Sequence, residues 1–156
     1  MTEVSATLSA MYQDTLLSHY RAPHNRRELG APNAEGRRKN PLCGDEIRVQ
    51  VRIEGDAIAD VAFGGRGCSI ATASASMLTD AVRGLDVSDA LRLAGAVDAM
   101  LQGDPAALPE SLLALRGVAG FPARHGCATM PWAALRDALR DVQRDAHREA
   151  PRHTAG

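Results

Sequence analysis

The residues able to do chemistry in this chain are few and widely spread. Cys43 lies in "NPLCGDEIRV", Cys68 in "GRGCSIATASASMLTD" and Cys127 in "ARHGCATMPWAAL". Asp45 follows Cys43 by two positions, and in extended chain residues i and i+2 project to the same side. Cys68 and Cys127 each stand where a loop gives way to helix-like sequence. Free N–H groups and the helix dipole at such a start favour thiolate over thiol. Cys43, Asp45, Cys68 and Cys127 therefore make a candidate tetrahedral metal set. Zinc suits sulfur-rich tetrahedral ligation. Iron or an iron–sulfur cluster suits thiolates as well, so donor types alone do not choose. Arg124 or Arg66 would offset the excess negative charge.

The plainer reading is three buried cysteines acting as small hydrophobes. Their wide intervals match no zinc-finger pattern, and Cys-x-x-Cys is absent. His125 precedes Cys127 by two positions, a weak match to a nucleophile–base pair. It is also an alternative ligand in place of Asp45, although a surface histidine is the simpler account. His19 reads as a helix-face residue packing its ring. "GGRG" lacks the spacing and the Gly-Lys-Ser/Thr ending of a phosphate-binding loop. Glu54, Asp56 and Asp60 read as the solvated rim of a hairpin.

The elements that must position these groups follow from pattern. Leu8, Met11, Tyr12, Thr15, Leu16 and His19 recur at helical spacing and predict a first helix ending before Pro23. The basic, turn-rich "RAPHNRRELGAPNAEGRRKNP" reads as an ordered loop or mobile flap, either solvated or facing a partner protein. Ile47, Val49, Val51 and Ile53 alternate with Glu46, Arg48, Gln50 and Arg52 as in a half-buried strand. "EGDA" turns the chain and "IADVAF" returns, giving an antiparallel hairpin that "GGRG" then breaks. Helices are predicted over Ser69 to Val82, Val87 to Ala94 and about Pro109 to Leu115. A last helix carries Trp132, Leu135, Leu139 and Val142 on one stripe, with Pro131 in its first turn. The arrangement is a single α+β domain over residues 1–148, with a polar, frayed tail at 149–156.

Composition bounds the function. The chain has 156 residues and a formal net charge of -1, which argues against a bulk electrostatic grip on nucleic acid. Apolar residues make up 45% and charged residues 24%, as in a globular chain. The opening sequence has no signal-peptide pattern, and no apolar run is long enough to span a bilayer. The expectation is a cytoplasmic protein whose thiols stay reduced or bind metal.

Three blocks carry a resemblance to a known family. They are "MYQDTLLSHYRAPHNRREL", with a His-Tyr-x-x-Pro-x-Asn loop, "NPLCGDEIRVQVRIEGDAIADVAFGGRGCSIATASASMLTD", and "FPARHGCATMPWAAL". The chain resembles the SufU proteins, within the wider family of NifU N-terminal and IscU-like iron–sulfur assembly proteins. The resemblance implies the SufE/NifU (IscU-like) fold, a small antiparallel sheet of about three strands packed against helices, with the site at one end. It implies Cys43, Asp45, Cys68 and Cys127 as metal ligands and Cys43 as sulfur acceptor. IscU-type members carry a histidine directly before the last cysteine, where this chain has Gly126. The departure and the "CAT-x-x-W-x-AL" ending are similar to SufU members, which implies zinc-dependent sulfur transfer rather than a [2Fe–2S] scaffold. A SufS-type, pyridoxal-phosphate cysteine desulfurase would be the sulfur donor, and further iron–sulfur assembly proteins the recipients. Arg124 would balance charge as Cys43 reacts. The protein would act as a monomer in transient complexes. A zinc-stabilised module without catalytic duty is the remaining alternative.

Overall fold

A computed structural model describes the backbone of residues 2–40, 44–104 and 107–155, and the side chains of residues 10–40, 44–104, 107–140 and 142. Cys43 lies outside the described residues, as do the side chains of the predicted tail.

The order is α1 (Thr2–Arg21), β1 (Ala34–Asn40), β2 (Asp45–Glu54), β3 (Ala57–Arg66), α2 (Ser69–Val82), α3 (Val87–Leu101), two 3-10 segments (Glu110–Val118 and Pro122–Arg124) and α4 (His125–Ala155). The strands form one antiparallel sheet in the order β1-β2-β3. The alternation in β2 does what it predicts: Ile47, Val49, Val51 and Ile53 are buried. They meet Ile58, Val61 and Phe63 of β3, Met77 and Leu78 of α2, and Trp132, Leu135 and Leu139 of α4 in one core. Each of these larger side chains contributes about 1.5–3 kcal/mol on burial.

Several expectations need correction. The basic segment holds both an ordered crossing and an edge strand. Asn25 and Arg27 bond across to Phe63 on the β3 edge, and Asn33 bonds to Val51 at the β1 side. Between them the chain crosses the second face of the sheet, where the Leu29 N–H donates to Gln50 Oε1 at 2.9 Å. That crossing buries Gln50, which simple alternation places in solvent. Strand β1 has no apolar alternation to betray it, because only Gly36 is buried along it. A Cβ at Gly36 would sit 1.9 Å from the Ala134 carbonyl oxygen, so α4 lies directly on this strand's backbone. Four cations of the segment are held by the chain's own acids, Arg27 by Asp60, Arg38 by Asp137, and Arg37 and Lys39 by Glu46, while Arg26 donates to the Gly65 carbonyl.

"GGRG" does not end β3, which continues through Arg66. Helix α3 extends beyond the expected end at Ala94 to Leu101, burying Val97 and Met100. The helix expected near Pro109–Leu115 is a 3-10 helix over Glu110–Val118. Helix α4 starts at His125, so Pro131 lies in its second turn, and Pro122 takes the initiating position in the 3-10 turn ahead of it. Its backbone runs on through the stretch read as a tail to Ala155. No helix among the described residues is long and apolar enough to cross a membrane.

Candidate metal centre

Helix α2 is the axis of the site. It is buried on nearly all sides, and its small residues let neighbours approach closely: Ala71, Thr72, Ala73, Ser74, Ala75 and Ser76 are all inside. Cys68 is its N-cap, in extended conformation, and the Cys68 carbonyl accepts the Thr72 N–H at 2.9 Å. The Cys68 backbone N–H is not left to solvent. It donates to Asp45 Oδ2 at 3.0 Å. The carboxylate at the start of β2 thus caps the residue that starts α2, and the cysteine and aspartate are fixed to one another.

Glycine makes this approach possible. Gly65, at φ +105°, pairs with Ile47, and a Cβ there would lie 2.1 Å from the Glu46 carbonyl oxygen. The end of β3 therefore presses against the start of β2, delivering Cys68 to Asp45. The signal read as a strand break is a close backbone contact.

Cys127 is buried in the first turn of α4. Its helix is tied to α2 by Ser74, which is fully buried. Ser74 Oγ donates to the Ala128 carbonyl at 2.6 Å and accepts the Trp132 indole N–H at 3.1 Å. This hydroxyl sets the distance between the two cysteine-bearing helices, and nothing in its sequence context announces it. The result is convergence: one donor atom each from Asp45, Cys68 and Cys127 lies within 4.8 Å of the others. Both cysteines stand at helix N-termini, where negative charge is favoured.

Other candidates fall elsewhere. His125 Nε2 is 2.9 Å from the Ala119 carbonyl oxygen, so that nitrogen carries the proton and the ring is engaged with the preceding loop. It does not join the Asp45–Cys68–Cys127 group. Arg124 and Arg66 are exposed.

A family model described as the NifU-like N terminal domain matches residues 11–147. The chain belongs to this family. The NifU-like domain here is 40% identical over 134 residues to the zinc-dependent sulfurtransferase SufU of Bacillus subtilis (strain 168), covering 84% of this chain and 90% of that one. It is 43% identical over 135 residues to the iron–sulfur cluster assembly scaffold protein IscU of Streptococcus pyogenes serotype M1, covering 84% of each. The structure aligns with a putative iron–sulfur cluster assembly scaffold protein for the SUF system from Fervidobacterium islandicum AW-1. The TM-score is 0.73 at 26% identity, covering 80% of this chain and 93% of that one. The α+β architecture with a three-stranded antiparallel sheet is thus the fold of the NifU-like family, as the sequence resemblance implies. The relatives' names divide between the two uses that the donor set leaves open.

The donor chemistry fits a metal. Two thiols and a carboxylate could supply three of the four positions of a sulfur-rich tetrahedral site, the set zinc favours. The same NifU-like chain holds a second group of possible ligands, His19, His24 and Asp80, which no sequence spacing indicated. His19 does more than pack its ring: Nδ1 is 2.7 Å from Ser76 Oγ, and its ring centroid is 4.7 Å from that of His24.

Proposed function

We propose that this protein is a zinc-dependent sulfurtransferase that takes persulfide sulfur from a cysteine desulfurase for iron–sulfur cluster assembly. The convergence of Asp45, Cys68 and Cys127 within 4.8 Å carries the reading. The name and coverage of the Bacillus subtilis relative support it. Cys43, directly ahead of Gly44 and Asp45 in the chain, would complete the set as fourth ligand and serve as acceptor. Zinc, when bound by Cys43, Asp45, Cys68 and Cys127, would keep the thiolates deprotonated at neutral pH.

The protein's own groups then have definite tasks. Cys43 thiolate attacks the terminal sulfur of the donor persulfide. The donor's S–S bond breaks, its cysteine leaves as thiolate, and Cys43 carries the new persulfide. Asp45 is the exchangeable oxygen donor and also holds the Cys68 N–H. Cys68 and Cys127 stay on their helix termini throughout. Arg124, exposed in the turn before α4, would balance charge as Cys43 departs and returns. The reaction belongs in the cytoplasm, where thiols remain reduced, and the desulfurase complex is transient.

The test is desulfurase turnover with cysteine under anaerobic conditions, comparing zinc-loaded and zinc-stripped protein. Strong stimulation by the zinc form alone is expected, and Cys43→Ala should abolish it with the fold retained. Equal, low turnover with both forms would overturn the reading. The second reading is a scaffold for a [2Fe–2S] cluster, favoured by the same thiol convergence and by the name of the Streptococcus pyogenes relative. It requires a chromophoric cluster that forms on the isolated protein and transfers to an apo-acceptor.

A further inference from the structure

The cluster around His24 sits far from the thiols. Asp80 lies twelve residues along α2 from Cys68, about 18 Å at the rise of an α-helix. Three elements converge here: His19 from the last turn of α1, His24 from the loop after it, and Asp80 from α2. One donor atom from each lies within 4.8 Å of the others.

The loop that presents His24 is locked from α2. The His24 backbone N–H donates to Ser76 Oγ at 2.8 Å, and His19 Nδ1 lies 2.7 Å from the same oxygen. Asn25, at φ 60°, donates from Nδ2 to Thr79 Oγ1 at 3.0 Å, and Arg83 donates to Asn25 Oδ1 at 2.6 Å. His24 Nδ1 meets Asp80 Oδ2 at 2.5 Å. The two imidazole rings are tilted by 54° rather than stacked. His19, with Nδ1 engaged by the Ser76 hydroxyl, has the arrangement of a metal-ligating histidine whose second nitrogen is the donor. His24 Nδ1 and Asp80 Oδ2 share a proton at 2.5 Å, the place an ion would take between them. Burial, then the charge of His24, push the His19 imidazolium below its usual range, with Asp80 opposing. His19 and Asp80 line an open cleft of about 400 Å³ that also includes Tyr12 and Glu110, with room for water to complete a coordination shell.

We propose that His19, His24 and Asp80 form a second divalent-metal site of nitrogen and oxygen donors, taking Zn²⁺, Co²⁺ or Ni²⁺ independently of the thiolate centre. Imidazole with carboxylate suits this class of ion. Its ligands come from two helices and the loop that follows α1, so an ion there would also clamp that loop to α2.

The test uses the full chain with zinc already bound at the thiols and Co²⁺ as probe. Uptake is followed by equilibrium dialysis and by the visible spectrum. One equivalent of Co²⁺ should bind, with d–d bands and no near-ultraviolet thiolate charge transfer. His24→Ala and Asp80→Asn should each weaken that uptake by at least about tenfold. Both side chains are largely exposed, and the His24 backbone bond to Ser76 survives its substitution, so the fold should persist. Desulfurase stimulation in these variants should equal that of the parent. No second equivalent, or uptake unchanged in both variants, would make the cluster a structural network only and overturn the proposal. Failure at the thiolate centre would appear instead in the desulfurase assay, leaving cobalt uptake untouched.

Discussion

The two donor groups gather at opposite ends of α2 and are built in opposite ways. The thiolate end of α2 is assembled by backbone: a helix N-cap, the first turn of a second helix, and a strand pressed onto its neighbour at Gly65. The imidazole end is assembled by side chains, with Ser76, Thr79 and Asn25 bonding the α1–β1 segment to α2. Backbone assembly places sulfur donors where helix termini favour their charge. Side-chain assembly places nitrogen donors where hydroxyls orient their rings. Buried hydroxyls of α2 serve both ends, Ser74 toward α4 and Ser76 toward α1.

The largest separation of the two ends should come from Cys68→Ser or Cys127→Ser. On the proposed function either removes a direct ligand, so zinc affinity should fall beyond the roughly 10–100-fold typical of losing an outer partner, and sulfur acceptance should vanish. Cobalt uptake at the imidazole end should not change. Metal analysis on the same samples reads both. If Cys127→Ser kept full zinc affinity and full turnover, Cys127 would not be a ligand.

Gly65→Ala tests the backbone logic. The added Cβ meets the Glu46 carbonyl oxygen at 2.1 Å, and the left-handed φ is strained for any side chain. A loss of about 2–3 kcal/mol is expected in denaturant unfolding, with weaker zinc binding because Asp45 and Cys68 lose their register. Gly95→Ala is the counterpart: nothing lies within 4 Å of its Cβ position. In the middle of α3 it should stabilise by about 0.5–1 kcal/mol. Equal effects at both positions would remove the close approach as an explanation.

The hydroxyls allow a paired comparison. Ser74→Ala orphans the buried Trp132 N–H, and Ser76→Ala deprives the His24 N–H of its acceptor. Each should cost about 1–3 kcal/mol. The first should loosen zinc at the thiolate end only, the second cobalt at the imidazole end only. Crossed effects would show that α2 transmits changes along its length.

What the sequence made legible follows the same division. The β2 alternation could be read because apolar periodicity records it, and the bounds of α2 because a run rich in alanine and small hydroxyl residues follows the glycine-rich turn. Cysteine type and its place before helix-like sequence pointed to the thiolate end, and family resemblance supplied the convergence of Asp45, Cys68 and Cys127 that spacing could not. Strand β1 was illegible because its one buried residue, Gly36, has no side chain to form a pattern. The start of α4 is hidden in the sequence because two prolines compete for the initiating position: Pro122 fills it in the turn ahead, and Pro131 lies inside the helix. The imidazole end was marked only by the His-Tyr-x-x-Pro-x-Asn loop that begins at His19, which says nothing of Asp80. His19 and His24 flank Pro23, Asp80 is distant in sequence, and only the folded loop unites them.

The smallest expected loss isolates that loop. Asp60 bonds Arg27 through both carboxylate oxygens at 3.0 Å and lies 3.1 Å from Arg83, which in turn holds Asn25 beside His24. Burial alone would raise the Asp60 pKa from 3.8, but the Arg27 and Val61 hydrogen bonds and the charges of Arg27 and Arg83 together lower it. A depressed folded-state value means the unfolded chain binds the proton more readily. The stabilisation is therefore present above pH 3.8 and is lost as pH falls through the lower folded value. These are partly exposed pairs, so Asp60→Asn should cost only about 1 kcal/mol at neutral pH. The gap between parent and variant should hold steady down to about pH 5 and close in stronger acid. Hydrogen exchange should place the loosening at residues 24–27, with the thiolate end protected as before. A gap that persisted in strong acid would mean that Asp60 acts by shape, and that the loop presenting His24 is held without its charge.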